Sequence, residues 1–148
     1  MNTMNNGGSG ARVTPLVQKT NKRRQDFMRE IAALHALPQD SPHFPRLVSA
    51  HWPTKQVTTA YCGEPLRTKD QCPSDWKEQL LGIEAQLQKH NIFHNDVHVD
   101  NLVVNKDNKL CLIDFGWATF DRPHKDKHIN LTPSKIKNAK TCLDFPVE

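Results

Sequence analysis

Two short polar motifs on either side of a β-rich pair restrict this chain more than any other feature. The first is His94-Asn95-Asp96-Val97-His98-Val99-Asp100-Asn101 and the second is Asp114-Phe115-Gly116. Between them, Leu102 to Val104 and Leu110 to Ile113 are rich in aliphatic and β-branched residues. They flank the turn-forming run Asn105-Lys106-Asp107-Asn108, which predicts a β-hairpin. Upstream, Trp76, Leu80, Ile83 and Leu87 repeat at i, i+4, i+7 and i+11, the stripe of an amphipathic helix with one core-facing side. Asp75, with Glu78 three residues on, predicts a capping box at its start. The two motifs are therefore joined by a short hairpin and preceded by a long helix.

This arrangement resembles the protein-kinase-like superfamily. The kinase catalytic loop reads H-R-D-x-x-x-x-N and is followed by D-F-G, and the five-residue offset from Asp96 to Asn101 is the template's own. Asn95 replaces the usual arginine, so control by a phosphorylated activation loop is not expected. His98 stands where protein-serine kinases usually carry lysine. The pattern H-x-D-x-H-x-x-N is closer to the aminoglycoside and choline phosphotransferases and to atypical kinases. The resemblance covers about Val13 to Thr119 and implies an α+β bilobal fold. Its reduced N-lobe sheet would occupy about 13–62 and its truncated C-lobe about 63–120. Residues 1–12 read as a flexible glycine-rich terminus or vestigial glycine-rich loop, and 121–148 as a basic polar segment without strong periodicity.

What the resemblance implies chemically follows from phosphoryl transfer, which needs positioning and charge neutralisation more than covalent help. ATP and Mg²⁺ are the implied cofactors. Asp114 is expected to chelate the metal bridging the phosphates, and Asn101 to add a neutral oxygen ligand. Asp96 is expected to take the acceptor's proton, with His98 and Asn101 completing the catalytic set. His94 would scaffold the loop and Phe115 would pack beneath it. The superfamily also pairs a strand lysine with a helix glutamate, and Lys19 and Glu30 occupy those places.

The residues around Glu30 support that pairing independently. Phe27, Ile31 and Leu34 recur at helical spacing from about Arg24 to Leu37, and Pro38 stops the pattern. Within that helix Glu30 has Asp26, Phe27, Ala33 and Leu34 three and four residues away, so no cation can pair with it locally. It shares a face with Phe27 and Leu34, and a carboxylate directed at a core needs a partner from elsewhere. Lys19, beside Val17 on a strand read over Val13 to Lys19, is the natural one; Lys22, Arg23 and Arg24 are its rivals. Val17 joins the expected nucleotide-binding set. So do Tyr61 and Cys62, because Tyr61-Cys62-Gly63-Glu64-Pro65-Leu66 follows a strand over Val57 to Tyr61 and resembles the interlobe hinge. Gly8-Ser9-Gly10-Ala11-Arg12-Val13 faintly echoes the G-x-G-x-x-G-x-V loop. Ser41 to Trp52 is proline-punctuated and reads as extended.

Bulk properties bound the rest. At 148 residues and 16.9 kDa one functional unit is expected. No apolar run approaches the roughly 18 residues needed to span a bilayer, and Met1 to Gly10 lacks the features of a secretory signal. A cytoplasmic protein without membrane association is the expectation. Cys62, Cys72, Cys111 and Cys142 stand far apart without a Cys-x-x-Cys pair and read as reduced thiols. The net charge of +4 is concentrated at Lys19 to Arg24 and Lys125 to Lys140, read as solvated surface rather than a nucleic-acid interface. His90, His94 and His98 could instead line a helical face as metal ligands. After Gly116 only 32 residues remain, without A-P-E, so a homodimer or partner chain is a candidate to complete the C-lobe. The expected function is an ATP-dependent phosphotransferase acting on a hydroxyl acceptor, small molecule or protein. The alternative is a kinase-like nucleotide-binding or scaffold protein with weak or no turnover.

Overall fold

The computed structural model describes residues 15–126 and 128–146. The glycine-rich stretch Gly8 to Val13, and Val13 as a strand start, lie outside the described residues. The fold is α+β, with helices laid on small antiparallel sheets. Strand β1 (Leu16–Thr20) begins directly after Pro15, where a missing N–H costs the ladder nothing. Helix α1 (Arg24–Ala36) follows and buries Phe27, Glu30, Ala33 and Leu34. Pro38 lies just beyond its end, and Leu37, the residue before that proline, is already extended. The stretch expected to be merely extended yields β2 (Leu47–His51), which turns into β3 (Gln56–Ala60). Lys55 adopts φ 56° in that turn. The sheet order is β1-β3-β2, with Val17 opposite Thr59 and Lys19 opposite Val57.

The chain leaves β3 through Tyr61-Cys62-Gly63 and enters β4 (Glu64–Pro65), which pairs with β6 (Leu102–Val104). Gly63 has φ 150°, and a Cβ there would stand 2.6 Å from the carbonyl carbon and oxygen of Val104. Only glycine lets the crossing rest directly on β6. Helix α2 (Trp76–Lys89) buries Leu80, Ile83 and Leu87, as the stripe requires. The capping box does not form. Asp75 is not extended, and its Oδ1 accepts from Gln79 Nε2 at 2.8 Å instead. Gln79 also donates to Asn108 O (2.8 Å) and accepts from Leu110 N (2.7 Å), tying the helix to the hairpin.

Strands β6 and β7 (Leu110–Leu112) form that hairpin, with Val103 opposite Cys111. β5 (Ile92–Phe93) pairs with β8 (Thr119–Phe120). The core gathers Leu80, Ile83, Leu102, Leu110, Leu112 and Phe115. The C-terminal stretch contains α3 (Pro133–Asn138), capped by Thr132 Oγ1 accepting from Lys135 N at 3.1 Å, with Ile136 buried. Six residues are too few to reveal a period. Cys142 is buried beside it and forms a disulfide with Cys72, 70 residues away. The expectation of four reduced thiols is therefore corrected: Cys62 and Cys111 are free, whereas Cys72 and Cys142 are bonded. Nothing local in the sequence marks that pair. The histidine alternative also falls, because α2 ends at Lys89, before any of the three. Among the described residues no helix is long and apolar enough to cross a membrane.

Candidate active site

Lys19, near the end of β1, extends toward two acids delivered from distant parts of the chain. Its Nζ lies 3.3 Å from Glu30 Oε2 and 2.6 Å from Asp114 Oδ1. Glu30 is 4% exposed, and its remaining capacity is filled by Asn21 Nδ2 (3.2 Å) and the backbone N–H of Phe115 (3.2 Å). Two of the rival cations are engaged elsewhere: Arg23 pairs with Asp26 at 3.2 Å, and Arg24 lies over the Trp52 ring at 4.7 Å. Burial alone would lower the Lys19 pKa, but the Glu30 and Asp114 carboxylates outweigh it and hold the ammonium above its ordinary value. Burial would likewise raise Asp114; the Lys19 charge and hydrogen bond, the Gly116 N–H and His94 together bring it below the usual carboxylate range.

The loop between β5 and β6 is organised by His94 from below. His94 is fully buried, donates from Nε2 to Ile113 O (2.8 Å) and accepts at Nδ1 from Asp96 N (3.1 Å). Both bonds require the neutral ring, and burial lowers its pKa to about 4. Phe115 meets that ring edge-on with centroids 4.8 Å apart, so the expected scaffold contact is present. Asn101 closes a single 3-10 turn, Val99–Asn101, and its Nδ2 donates to Asp96 O (2.8 Å) and Oδ2 (3.3 Å). Ile113 N donates to Asn101 O at 2.9 Å, setting Asn101 beside the start of the Asp114 triplet. Asp114 has φ 65°, a left-handed turn that a short polar residue tolerates. His98 Nε2 lies 3.4 Å from Asp96 Oδ1 and 3.3 Å from Asn101 Nδ2.

A cavity of about 400 Å³ opens between the β1-β3-β2 sheet and the β4-β6-β7 sheet. Val17, Val57, Ala60, Val103 and Ile113 give it apolar walls; Tyr61, Cys62 and Gly63 form one edge; Lys19, Glu30, Asn101 and Asp114 form the polar end. Val17, Lys19, Glu30, Tyr61, Cys62, Asn101 and Asp114 are thus brought together. Asp96 and His98 do not line the cavity and connect to it through Asn101. The Tyr61 hydroxyl bonds Glu64, which pushes its pKa up to about 12. Cys62 is held below its ordinary value by a hydrogen bond from Cys111, whose own thiol burial pushes up. A larger cavity of about 810 Å³ lies on the other face of the crossing, but none of Glu30, Asp96 and Asp114 lines it. Three contributors escaped the sequence: Asn21, the Phe115 N–H and Asn95. Asn95 is fully buried and makes hydrogen bonds to four separate stretches of chain.

A family model described as the phosphotransferase enzyme family (APH) matches residues 7–127. Among curated proteins, a serine/threonine-protein kinase kin-29 of Caenorhabditis briggsae is 29% identical over 77 residues, covering 52% of this chain and 9% of that protein. A serine/threonine-protein kinase PLK4 of Drosophila willistoni is 34% identical over 61 residues, covering 40% and 8%. An Aurora kinase of Saccharomyces cerevisiae is 32% identical over 50 residues, covering 34% and 14%. The matched stretches thus span only about a tenth of the length of these curated kinases.

Proposed function

The chain belongs to the phosphotransferase enzyme family, and on that premise we propose that it moves the γ-phosphate of ATP to a hydroxyl-bearing acceptor, a small molecule or a protein. The observation that carries this reading is the Lys19–Glu30–Asp114 cluster, with Asn101 beside it, at the polar end of an apolar-walled cavity. The apolar walls suit a purine, and the backbone at Tyr61 to Gly63 supplies an edge for its polar groups. Lys19 is held by Glu30 so that its charge faces the phosphates. Asp114 and the amide oxygen of Asn101 are hard oxygen donors, the set that Mg²⁺ accepts together with water and phosphate oxygen. When bound there, the metal would neutralise charge developing on the transferring phosphoryl group. Asn101 Nδ2 is already committed to Asp96, which leaves its Oδ1 for that role.

In this reading Asp96 takes the acceptor's proton. Asn101 holds its carboxylate, His98 Nε2 stands 3.4 Å from it, and His94 fixes its backbone, so the side chain is oriented before an acceptor arrives. Mg-ATP at about 100 times its dissociation constant should stabilise the folded chain by roughly 2.7 kcal/mol, and Asp114→Asn should remove most of that gain. Transfer of label from γ-labelled ATP, screened across small alcohols and protein acceptors, tests the activity. An unchanged melting temperature under saturating Mg-ATP would overturn the nucleotide site. Binding without transfer to any acceptor would leave a nucleotide-binding module in its place.

A further inference from the structure

We propose that Asn95, working with Asn130, is a positioning residue that clasps residues 129–130 onto the catalytic loop and holds the Asp96 backbone from both sides. The proposal rests on the reading of Asp96 as the group that takes the acceptor's proton. Asn95 has φ 70° and is fully buried. That conformation favours glycine, asparagine or aspartate. Its side chain must also donate and accept at once. Nδ2 serves Phe93 O (3.0 Å), Trp117 O (2.8 Å) and Thr119 Oγ1 (2.9 Å), while Oδ1 accepts from His124 N (3.1 Å) and Asn130 Nδ2 (3.1 Å). Glycine lacks the side chain, and an ionised aspartate lacks the donors. Asparagine satisfies both demands.

The other half of the clasp is backbone. Asn95 N donates to Asn130 Oδ1 at 2.7 Å, Ile129 N donates to Asn95 O at 3.2 Å, and Val97 N donates to Ile129 O at 2.8 Å. Asp96 sits between these bonds and pairs with Ile129 as a parallel bridge. Its own N–H is taken by His94. The amides of three successive residues, Asn95, Asp96 and Val97, therefore all have fixed acceptors. Residues 129 and 130 lie beyond the 7–127 stretch that matches the family model. The clasp thus comes from a segment outside that match, and it acts at the position where Asn95 replaces arginine.

A buried, fully satisfied polar network fixes one geometry, because each broken bond leaves an unpaired group without water. Displacement of a reacting group by about 1 Å can cost about a hundredfold in rate. Asn95→Ala removes a buried side chain with five hydrogen-bonding neighbours and is expected to unfold the loop. Asn130→Ala is the informative variant, since Asn130 is half-buried on an irregular stretch and its side chain bonds Asn95 rather than a proposed reacting group.

In the full-length chain, Asn130→Ala should lower kcat about tenfold to a hundredfold, with KM for ATP within about twofold of the parent. Hydrogen exchange at the Asn95 and Val97 amides should quicken by about tenfold or more. A folded Asn130→Ala protein whose two amides exchange at the parental rate overturns the clasp. Faster exchange with parental kcat overturns its role in positioning. If the parent transfers no phosphate at all, the reading of Asp96 fails instead, and exchange at the two amides alone decides whether residues 129–130 hold the loop.

Discussion

Lys19 meets two carboxylates, and the partnership with Glu30 is legible in the chain because a core-facing glutamate has no cation three or four residues away in its helix. If both groups act together on phosphates, Lys19→Met and Glu30→Gln should couple by roughly 0.5–3 kcal/mol in a double-mutant cycle of nucleotide binding; strict additivity would contradict the pairing. His94 carries a second prediction. Its pKa falls from 6.5 to about 4 on folding, so between those values the unfolded chain binds a proton that the folded chain refuses. Stability is therefore full above about pH 6.5 and declines as pH falls toward 4, by about 3 kcal/mol from this group. Denaturant titrations from pH 7 to 4 should show that decline in the parent and a shallower one in His94→Gln. Equal slopes would contradict a neutral buried ring. Asn21 and the Asn95–Asn130 pair were not legible. Polar residues in irregular segments carry no periodicity, and a partner 35 residues away leaves no local trace.

Among elements, α1, α2 and the β6–β7 hairpin were legible because hydrophobic spacing and turn chemistry act within a few residues. The cap of α2 departs from its sequence pattern: Asp75 to Glu78 has the right spacing, but Gln79 is drawn into the hairpin and takes the Asp75 carboxylate with it. β2 is legible in the sequence only as extended chain, because its burial is slight and its pairing depends on β3. The crossing at Gly63 supplies the prediction at this scale. Gly63→Ala forces both a disfavoured φ and a 2.6 Å approach to the Val104 carbonyl, which should cost roughly 1–3 kcal/mol. It should also weaken nucleotide binding, since Tyr61 and Cys62 must move with the backbone. Parental stability and affinity together would show that the crossing does not rest on β6 in this way.

For the whole molecule, the C-terminal stretch is part of the core and meets the loop that carries Asp96. Ile136, Cys142 and Phe145 are buried, and residues 129–130 are bonded to Asn95 and Val97. The Cys72–Cys142 bond closes a long loop, so reduction or Cys142→Ser should lower stability by about 2–4 kcal/mol; denaturant midpoints that ignore reductant would contradict the bond. The central claim is that binding and chemistry are divided between Asp114 and Asp96, and single-turnover transfer from γ-labelled ATP by Asp96→Asn tests it most directly. The account predicts nucleotide affinity near the parent's with transfer slowed by about 10² to 10⁴. Transfer at the parental rate would contradict it.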